Sequence, residues 1–315
     1  MPRVYPPIEG RGNSNISPSL VESVAGFSAG IVSTLAVHPF DVVKTRLQIN
    51  LESRAQVGDT VRIVKDIIQN EGSYKALYRG LMPNMIGNSV SWGLYFMWYG
   101  NIKDLVRRAR SEGDRLTSAD YFLASGASGI LTAVFTNPIW VIKTRMLSTG
   151  KDAPGAYQSI AHGTKELWQT EGLKGFYRGL TPSLFGVSHG AIQFMAYEQL
   201  KNSWSVTRGG KDKLTNGDFL LLSAASKMFA GSVTYPYQVV RSRLQIYNAG
   251  QRYNSARDVI KQVFKKEGVW GFYRGLGPNL IRVLPSTCVT FLVYENTKFY
   301  LPRFFDEDKD DLGND

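Results

Sequence analysis

The feature that most constrains this chain is a threefold internal repeat. Pro39-Phe-Asp41-Val-Val-Lys44-Thr-Arg46 recurs as Pro138-Ile-Trp140-Val-Ile-Lys143-Thr-Arg145 and again as Pro236-Tyr-Gln238-Val-Val-Arg241-Ser-Arg243, with proline spacings of 99 and 98 residues. A second block follows each copy: Glu71-Gly72 with Tyr78-Arg79-Gly80, Glu171-Gly172 with Tyr177-Arg178-Gly179, and Glu267-Gly268 with Tyr273-Arg274-Gly275. Its glutamate trails the proline by 32, 33 and 31 residues in turn. Two blocks recurring three times in the same order mean tandem units, each needing its neighbours to bury its apolar face. The expected division is a polar N-terminal segment 1–18, repeats 19–110, 111–207 and 208–302, and an acidic tail 303–315. On charge density that tail reads as solvated and disordered.

Each repeat reads as a long helix, a short amphipathic helix and a second long helix. In the first, helix is expected from Leu20 to about Gln48, from Gly58 to Gln69, and from Pro83 to about Arg107. The short piece sets Val61, Val64, Ile67 and Ile68 against Arg62, Lys65 and Asp66, the pattern of a helix lying on a surface. Counterparts are expected near Tyr157–Gln169 and Asn254–Lys265. The first long helices open on small residues, Ala25-Gly26 and Ala29-Gly30, Gly126 and Gly129, Ala224-Ala225 and Ala230-Gly231, which let helix backbones approach closely.

No run reaches 18 consecutive apolar residues, and mean hydropathy is only −0.18. Hydropathy alone points to a soluble chain. Six long helices with a polar stripe account for the same value if they surround a water-filled cavity and only their outer face is apolar. The net charge of +11 favours an anionic partner. One cysteine, Cys288, excludes an internal disulfide, and three scattered histidines exclude a zinc cluster, so no metal is expected. No nucleophile constellation or usable phosphate loop is present, so neither catalysis nor a bound cofactor is expected. A helical repeat protein binding nucleic acid would explain the charge but not the Gly-, Pro- and Trp-bearing long helices; no nucleic-acid partner is expected.

At these motifs the chain resembles the mitochondrial carrier family, marked by Pro-x-[Asp/Glu]-x-x-[Lys/Arg]-x-[Lys/Arg/Gln] repeated three times, over roughly residues 19–300. The resemblance implies an all-α membrane protein of the multi-pass type. It has six transmembrane helices in three tandem repeats, three short surface helices, and a central site opening alternately to either side of the mitochondrial inner membrane. A monomer is expected.

The resemblance also assigns residues. Asp41, Lys44, Lys143, Gln238 and Arg241 fall at the matrix gate, where Trp140 and Gln238 stand in place of two carboxylates. One of three ion pairs is then possible, so this gate should be weak. Lys103, Glu198, Lys201, Glu295 and Lys298 fall at the cytosolic gate; helix 2 has Gly100 where a carboxylate belongs. Two pairs there against one at the matrix side imply a preference for the matrix-open state. Solute contacts fall on Gly87 with Asn88, Gly186 with Val187, and Arg282, while Lys227 lies eleven residues before Gln238 on the same helical face. His189, Trp92 and Trp140 are further candidates, each with a packing role as the alternative. Gly80, Gly179 and Gly275 open helix N-termini, which favour anions; the family implies cardiolipin there.

Within the family, Asn137-Pro138-Ile139-Trp140 resembles the group carrying pyrimidine nucleotides, NAD, folate and FAD, and Tyr235-Pro236-Tyr237-Gln238 the folate/FAD branch. Lys44, Lys143, Arg241, Lys227 and Arg282 against Asp41 leave an excess of four positive charges. The expected solute is FAD, with folate next and then NAD or a pyrimidine nucleotide.

Overall fold

The computed structural model describes residues 18–49, 58–71, 74–109, 117–153, 155–208, 214–247 and 249–312, with the side chains of 18–20, 118, 216 and 302–312 excepted. The expected N-terminal segment therefore falls almost wholly outside the described residues, which contain helices and turns but no strand. In chain order the helices are α1 (Pro18–Ile49), α2 (Asp59–Asn70), α3 (Leu81–Ala109), α4 (Ser118–Ser148), α5 (Ile160–Phe176), α6 (Leu180–Leu184) and α7 (Val187–Arg208). They continue as α8 (Asn216–Val233), α9 (Tyr235–Gln245), α10 (Ala249–Arg252), α11 (Ala256–Glu267), α12 (Leu276–Ile281) and α13 (Val283–Leu312). Long–short–long recurs three times, as the repeat requires. Among the described residues, Val21–Ile49, Ala119–Ser148 and Val269–Leu301 are long and apolar enough to cross a membrane. The other three long segments, α3, α6–α7 and α8–α9, fall short of that combination of length and apolar content.

The third repeat departs from a continuous first helix. Pro39 and Pro138 sit inside unbroken α1 and α4, but the third copy breaks at Thr234, and Pro236 occupies the first turn of α9. Proline is tolerated there because the amide it lacks would have no intrahelical partner. The even segments break too, between α6 and α7 and between α12 and α13, whereas α3 runs through. The acidic run, expected to be disordered, continues α13 as far as Leu312. Extending an existing helix fixes one residue per new bond, without the cost of a nucleus.

Two compact units are present, one formed by Met1–His38, Gln193–Phe229 and Leu280–Asp315, the other by Pro39–Ile192 and Ala230–Asn279. In the first, Ala25 and Ala29 are buried, Ser33 bonds Ser286 at 3.1 Å between hydroxyls, and Trp204 Nε1 donates to Asp218 at 2.9 Å. The second holds three apolar clusters of one design. Val42, Val43 and Leu47 of α1 pack on Ile63 and Ile67 of α2; Val141, Ile142 and Met146 of α4 pack with Leu167 of α5; Val240 and Leu244 of α9 pack with Val259 and Val263 of α11. Each short helix packs through an apolar face; in α2 that face runs through Ile63 and Ile67 with Val64 against it, whereas Val61, expected on it, is 58% exposed.

The small-residue seam is alanine and serine more than glycine. Ala25, Ala29 and Ser33 on α1, and Ala124, Ser128 and Thr132 on α4, are buried at four-residue steps. A Cβ at Gly26, Gly30 or Gly126 would meet nothing within 4 Å.

A charged clamp ties each short helix to its own repeat and to the next. Arg46 forks onto Glu71, with Nη2–Oε2 at 2.9 Å; Arg145 meets Glu171 at 2.6 Å; Arg243 forks onto Glu267, with Nη2–Oε2 at 2.8 Å. The Nε of the same arginines donates onward: Arg46 to the Leu147 carbonyl at 3.2 Å, Arg145 to that of Gln245 at 3.1 Å, and Arg243 to that of Gln48 at 2.9 Å. The order is repeat one to two, two to three, and three to one. Gly80, Gly179 and Gly275 follow the same cycle, their would-be Cβ atoms meeting Leu147, Gln245 and Lys44 respectively.

Gly275 has φ +85°, and an added Cβ would lie 3.0 Å from the Lys44 carbonyl oxygen, a backbone atom that cannot swing aside. Gly275→Ala should therefore destabilise the detergent-solubilised protein by about 2 kcal/mol, combining left-handed strain with the close contact. Gly26→Ala, in open space on α1, should be neutral or gain about 0.5–1 kcal/mol. Thermal unfolding checks both.

Candidate functional site: motif cations and their neutral partners

The proline motif places its first cation of each repeat near the ends of α1, α4 and α9, in the second unit. Lys44 Nζ donates to Gln238 Oε1 and to Asn279 Oδ1, each at 2.8 Å. Arg241 lies over the Trp140 ring at 5.7 Å, and Lys143 over the same ring at 4.8 Å. Trp140 is held in turn by donation from its Nε1 to Thr136 Oγ1 at 3.2 Å. Asp41 and Lys143 each have a further polar or electrostatic interaction. Counting carboxylates thus underestimates what can hold this end. An amide serves Lys44, and an indole face serves Lys143 and Arg241 by attraction to the ring quadrupole.

In α3, α7 and α13 a tyrosine is paired with a lysine four residues on. Lys103 sits over Tyr99 at 4.6 Å, Lys201 over Tyr197 at 5.8 Å, and Lys298 over Tyr294 at 5.2 Å. Glu198 pairs only along its own helix, with Lys201 at 3.8 Å, while Lys298 reaches Glu22 at 3.4 Å. Glu295 has no ion pair with another described residue. Among the described residues neither Glu198 nor Glu295 forms the inter-helix pair expected of it.

The expected solute contacts divide between the units. In the first, Lys227 on α8 is half-buried and close enough to Arg282, at the break between α12 and α13, for their charges to interact. The break at Thr234 interrupts the continuous helix on which Lys227 and Gln238 were expected to share a face. In the second unit, Gly87 is buried against Ile139 and Trp140, with Asn88 donating to Asn84 at 3.4 Å. Gly186 lies in the break between α6 and α7 beside the Tyr237 hydroxyl, and Val187 packs onto Gly129. His189 Nδ1 is 2.9 Å from Thr234 Oγ1. Gly80, Gly179 and Gly275, at φ +74°, +73° and +85°, precede α3, α6 and α12. No group of three or more metal-ligating side chains occurs among the described residues.

The arginine–glutamate clamps were missed in the sequence. Their signal was present: Arg46 to Glu71, Arg145 to Glu171 and Arg243 to Glu267 are separated by nearly constant intervals of 25, 26 and 24 residues.

The mitochondrial carrier protein family model matches residues 17–110, 114–207 and 212–305, nearly the whole chain. The chain belongs to the mitochondrial carrier family. Among curated proteins, the carrier is 39% identical over 306 residues to the mitochondrial FAD carrier protein of Saccharomyces cerevisiae, covering 90% of this chain and 98% of that one. It is 38% identical to a chloroplastic folate transporter of Arabidopsis thaliana, covering 87% and 93%. With a mitochondrial nicotinamide adenine dinucleotide transporter of the same plant it shares 37% identity, covering 93% and 83%. The carrier is an all-α, six-helix membrane protein of three tandem repeats, as the sequence implied.

Replacing the amide at Lys44 by a carboxylate turns a hydrogen bond charged only at its donor into an ion pair and strengthens it. Gln238→Glu in the carrier should raise the unfolding midpoint of detergent-solubilised protein by about 2 °C, and Gln238→Ala should lower it. Unchanged midpoints in both would show that Gln238 contributes nothing here.

Proposed function

We propose that the carrier moves FAD across the mitochondrial inner membrane by alternating access. The observation that carries this reading is the chemistry of the motif cations. Trp140 and Gln238 stand where the family pattern calls for carboxylates, so three motif cations, Lys44, Lys143 and Arg241, face one motif carboxylate, Asp41, and an amide and an indole face are among their contacts. A solute with two phosphate charges complements that excess of positive charge during passage. The 39% identity to a yeast FAD carrier supports the same choice. Folate, with two carboxylates, is the second reading, supported by the 38% identity to a folate transporter. FAD is here the transported solute and not a cofactor.

In this reading Arg282 and Lys227 bind the anionic groups, Arg282 through a planar bidentate fork. Gly87, Asn88, Gly186 and Val187 contact the remainder of the solute. Asp41, Lys44, Lys143, Gln238 and Arg241 form the matrix gate, and Lys103, Glu198, Lys201, Glu295 and Lys298 the cytosolic gate. Gly80, Gly179 and Gly275 present helix N-termini to lipid phosphates such as those of cardiolipin. The working form is a monomer.

Uptake into liposomes containing purified protein tests the solute directly. FAD should enter and should compete against any other solute taken up, in a panel with FMN, folate, NAD and a pyrimidine nucleotide. Ready uptake of NAD or a pyrimidine nucleotide, with FAD neither entering nor competing, overturns the assignment. Arg282→Ala should abolish uptake with its unfolding midpoint nearly unchanged; wild-type uptake by that variant removes Arg282 from the solute path.

A further inference from the structure

Helix α3 exposes two chemically different stripes. Met82, Ile86, Val90 and Met97 follow one another at four- and seven-residue steps, with 37–62% of each side chain exposed. With 3.6 residues per turn they share one face, and their chemistry suits hydrocarbon. Trp92 falls on another face, together with Asn88, Tyr95, Tyr99 and Lys103 at steps of three and four. An amide, two phenols and an ammonium are costly against lipid tails, so this second face is the one that meets water.

Trp92 is 62% exposed and its neighbour on the next turn, Phe96, is 61% exposed. Their rings stack, with centroids 5.6 Å apart and planes 23° from parallel. Tyr95 meets the Trp92 ring edge-on at 6.0 Å and stacks on Tyr99 at 6.0 Å with planes 4° apart. The Tyr95 hydroxyl is within 2.8 Å of Ser125 Oγ on α4, which fixes the ladder to the neighbouring helix. Large aromatic surface is thus held in place by rings and a hydrogen bond. Trp140 offers no such face, since Lys143 and Arg241 already lie over it.

We propose that Trp92, braced by Phe96, is the platform on which a planar heteroaromatic ring of the solute stacks, and that this contact selects ring-bearing anions over ringless ones. The inference rests on the carrier reading above and adds to it the residue that reads the ring. Stacking tolerates any planar ring with a π-face, so the platform sets a class of solute, while charge contacts elsewhere read the phosphates or carboxylates.

The test is solute-dependent protection of the purified full-length protein against thermal unfolding, titrated with FAD, folate, NAD and inorganic pyrophosphate. Trp92→Leu should weaken the apparent affinity for the best-bound ring-bearing solute about thirtyfold, the middle of the range for base–aromatic stacking. Trp92→Phe should stay within about threefold of wild type, since a ring remains. Phe96→Leu should weaken ring binding to a lesser degree, and it carries the test if Trp92→Leu fails to fold. Any protection by pyrophosphate should be equal in all variants. Equal ring-solute affinity for Trp92→Leu and Trp92→Phe overturns the platform, as does a matching loss with pyrophosphate or a wild-type protein that no ring-bearing solute protects. If folate or NAD is bound through Trp92 and FAD is not, the FAD assignment fails and the platform stands. If FAD is bound without regard to Trp92, the platform alone fails.

Discussion

The arginine–glutamate clamp is the interaction on which the second unit depends. Arg145 and Arg243 are each 1% exposed at the side chain, and a guanidinium cannot shed its proton to escape burial. It must be paired, and its five donors must be satisfied. Glu171 and Glu267 supply the charge, and the carbonyls of Gln245 and Gln48 take the remaining Nε donors. Those carbonyls lie in the last turn of the next repeat's first helix, or just beyond it, where intrahelical partners run out. One side chain therefore meets two needs, and meeting them fixes the short helix, its own long helix and the adjoining repeat together. The tight seats of Gly179 and Gly275 against the backbone near those same helix ends follow from that closeness.

Where the clamps resist change, the first motif cation of each repeat is set up differently. Gln238 and Asn279 accept from Lys44, and Lys143 and Arg241 lie over the face of one tryptophan, with further interactions at Asp41, Lys44 and Lys143 besides. Neutral partners attract less strongly than carboxylates and cost less to leave. Separating such a contact leaves behind less uncompensated charge than separating a desolvated ion pair does. Trp140 and Gln238 in place of carboxylates leave three motif cations against the single motif carboxylate Asp41.

Much of this was legible in the sequence because it is local or periodic. The 3.6-residue spacing of Val64, Ile67 and Ile68 marked α2, and the repeat carried the assignment to α5 and α11. What escaped notice depends on contacts distant in the chain. Nothing near Arg46 says that Glu71 is its partner; only the near-constant interval across three copies does. The break at Thr234 escaped because Pro236 reads like Pro39 and Pro138, and a helix interior and a helix start both accept proline under suitable neighbours. Glycine in the seam was over-read: Gly26 and Gly30 face open space, while the adjacent Ala25 and Ala29 are buried. Counting carboxylates at the motif leaves out the amide of Gln238 and the ring of Trp140, which also contact its cations.

A double-mutant cycle across Arg243 and Glu267, read from unfolding of the solubilised protein, tests the clamp most directly. Arg243→Gln, Glu267→Gln and the double variant isolate the pairwise coupling, which the buried geometry places at about 2–3 kcal/mol. The singles should each be more damaging than an exposed pair such as Arg107 with Asp104 allows. A coupling within about 0.5 kcal/mol of zero would contradict the account, because the two side chains would then contribute independently and the clamp would not hold the repeats together.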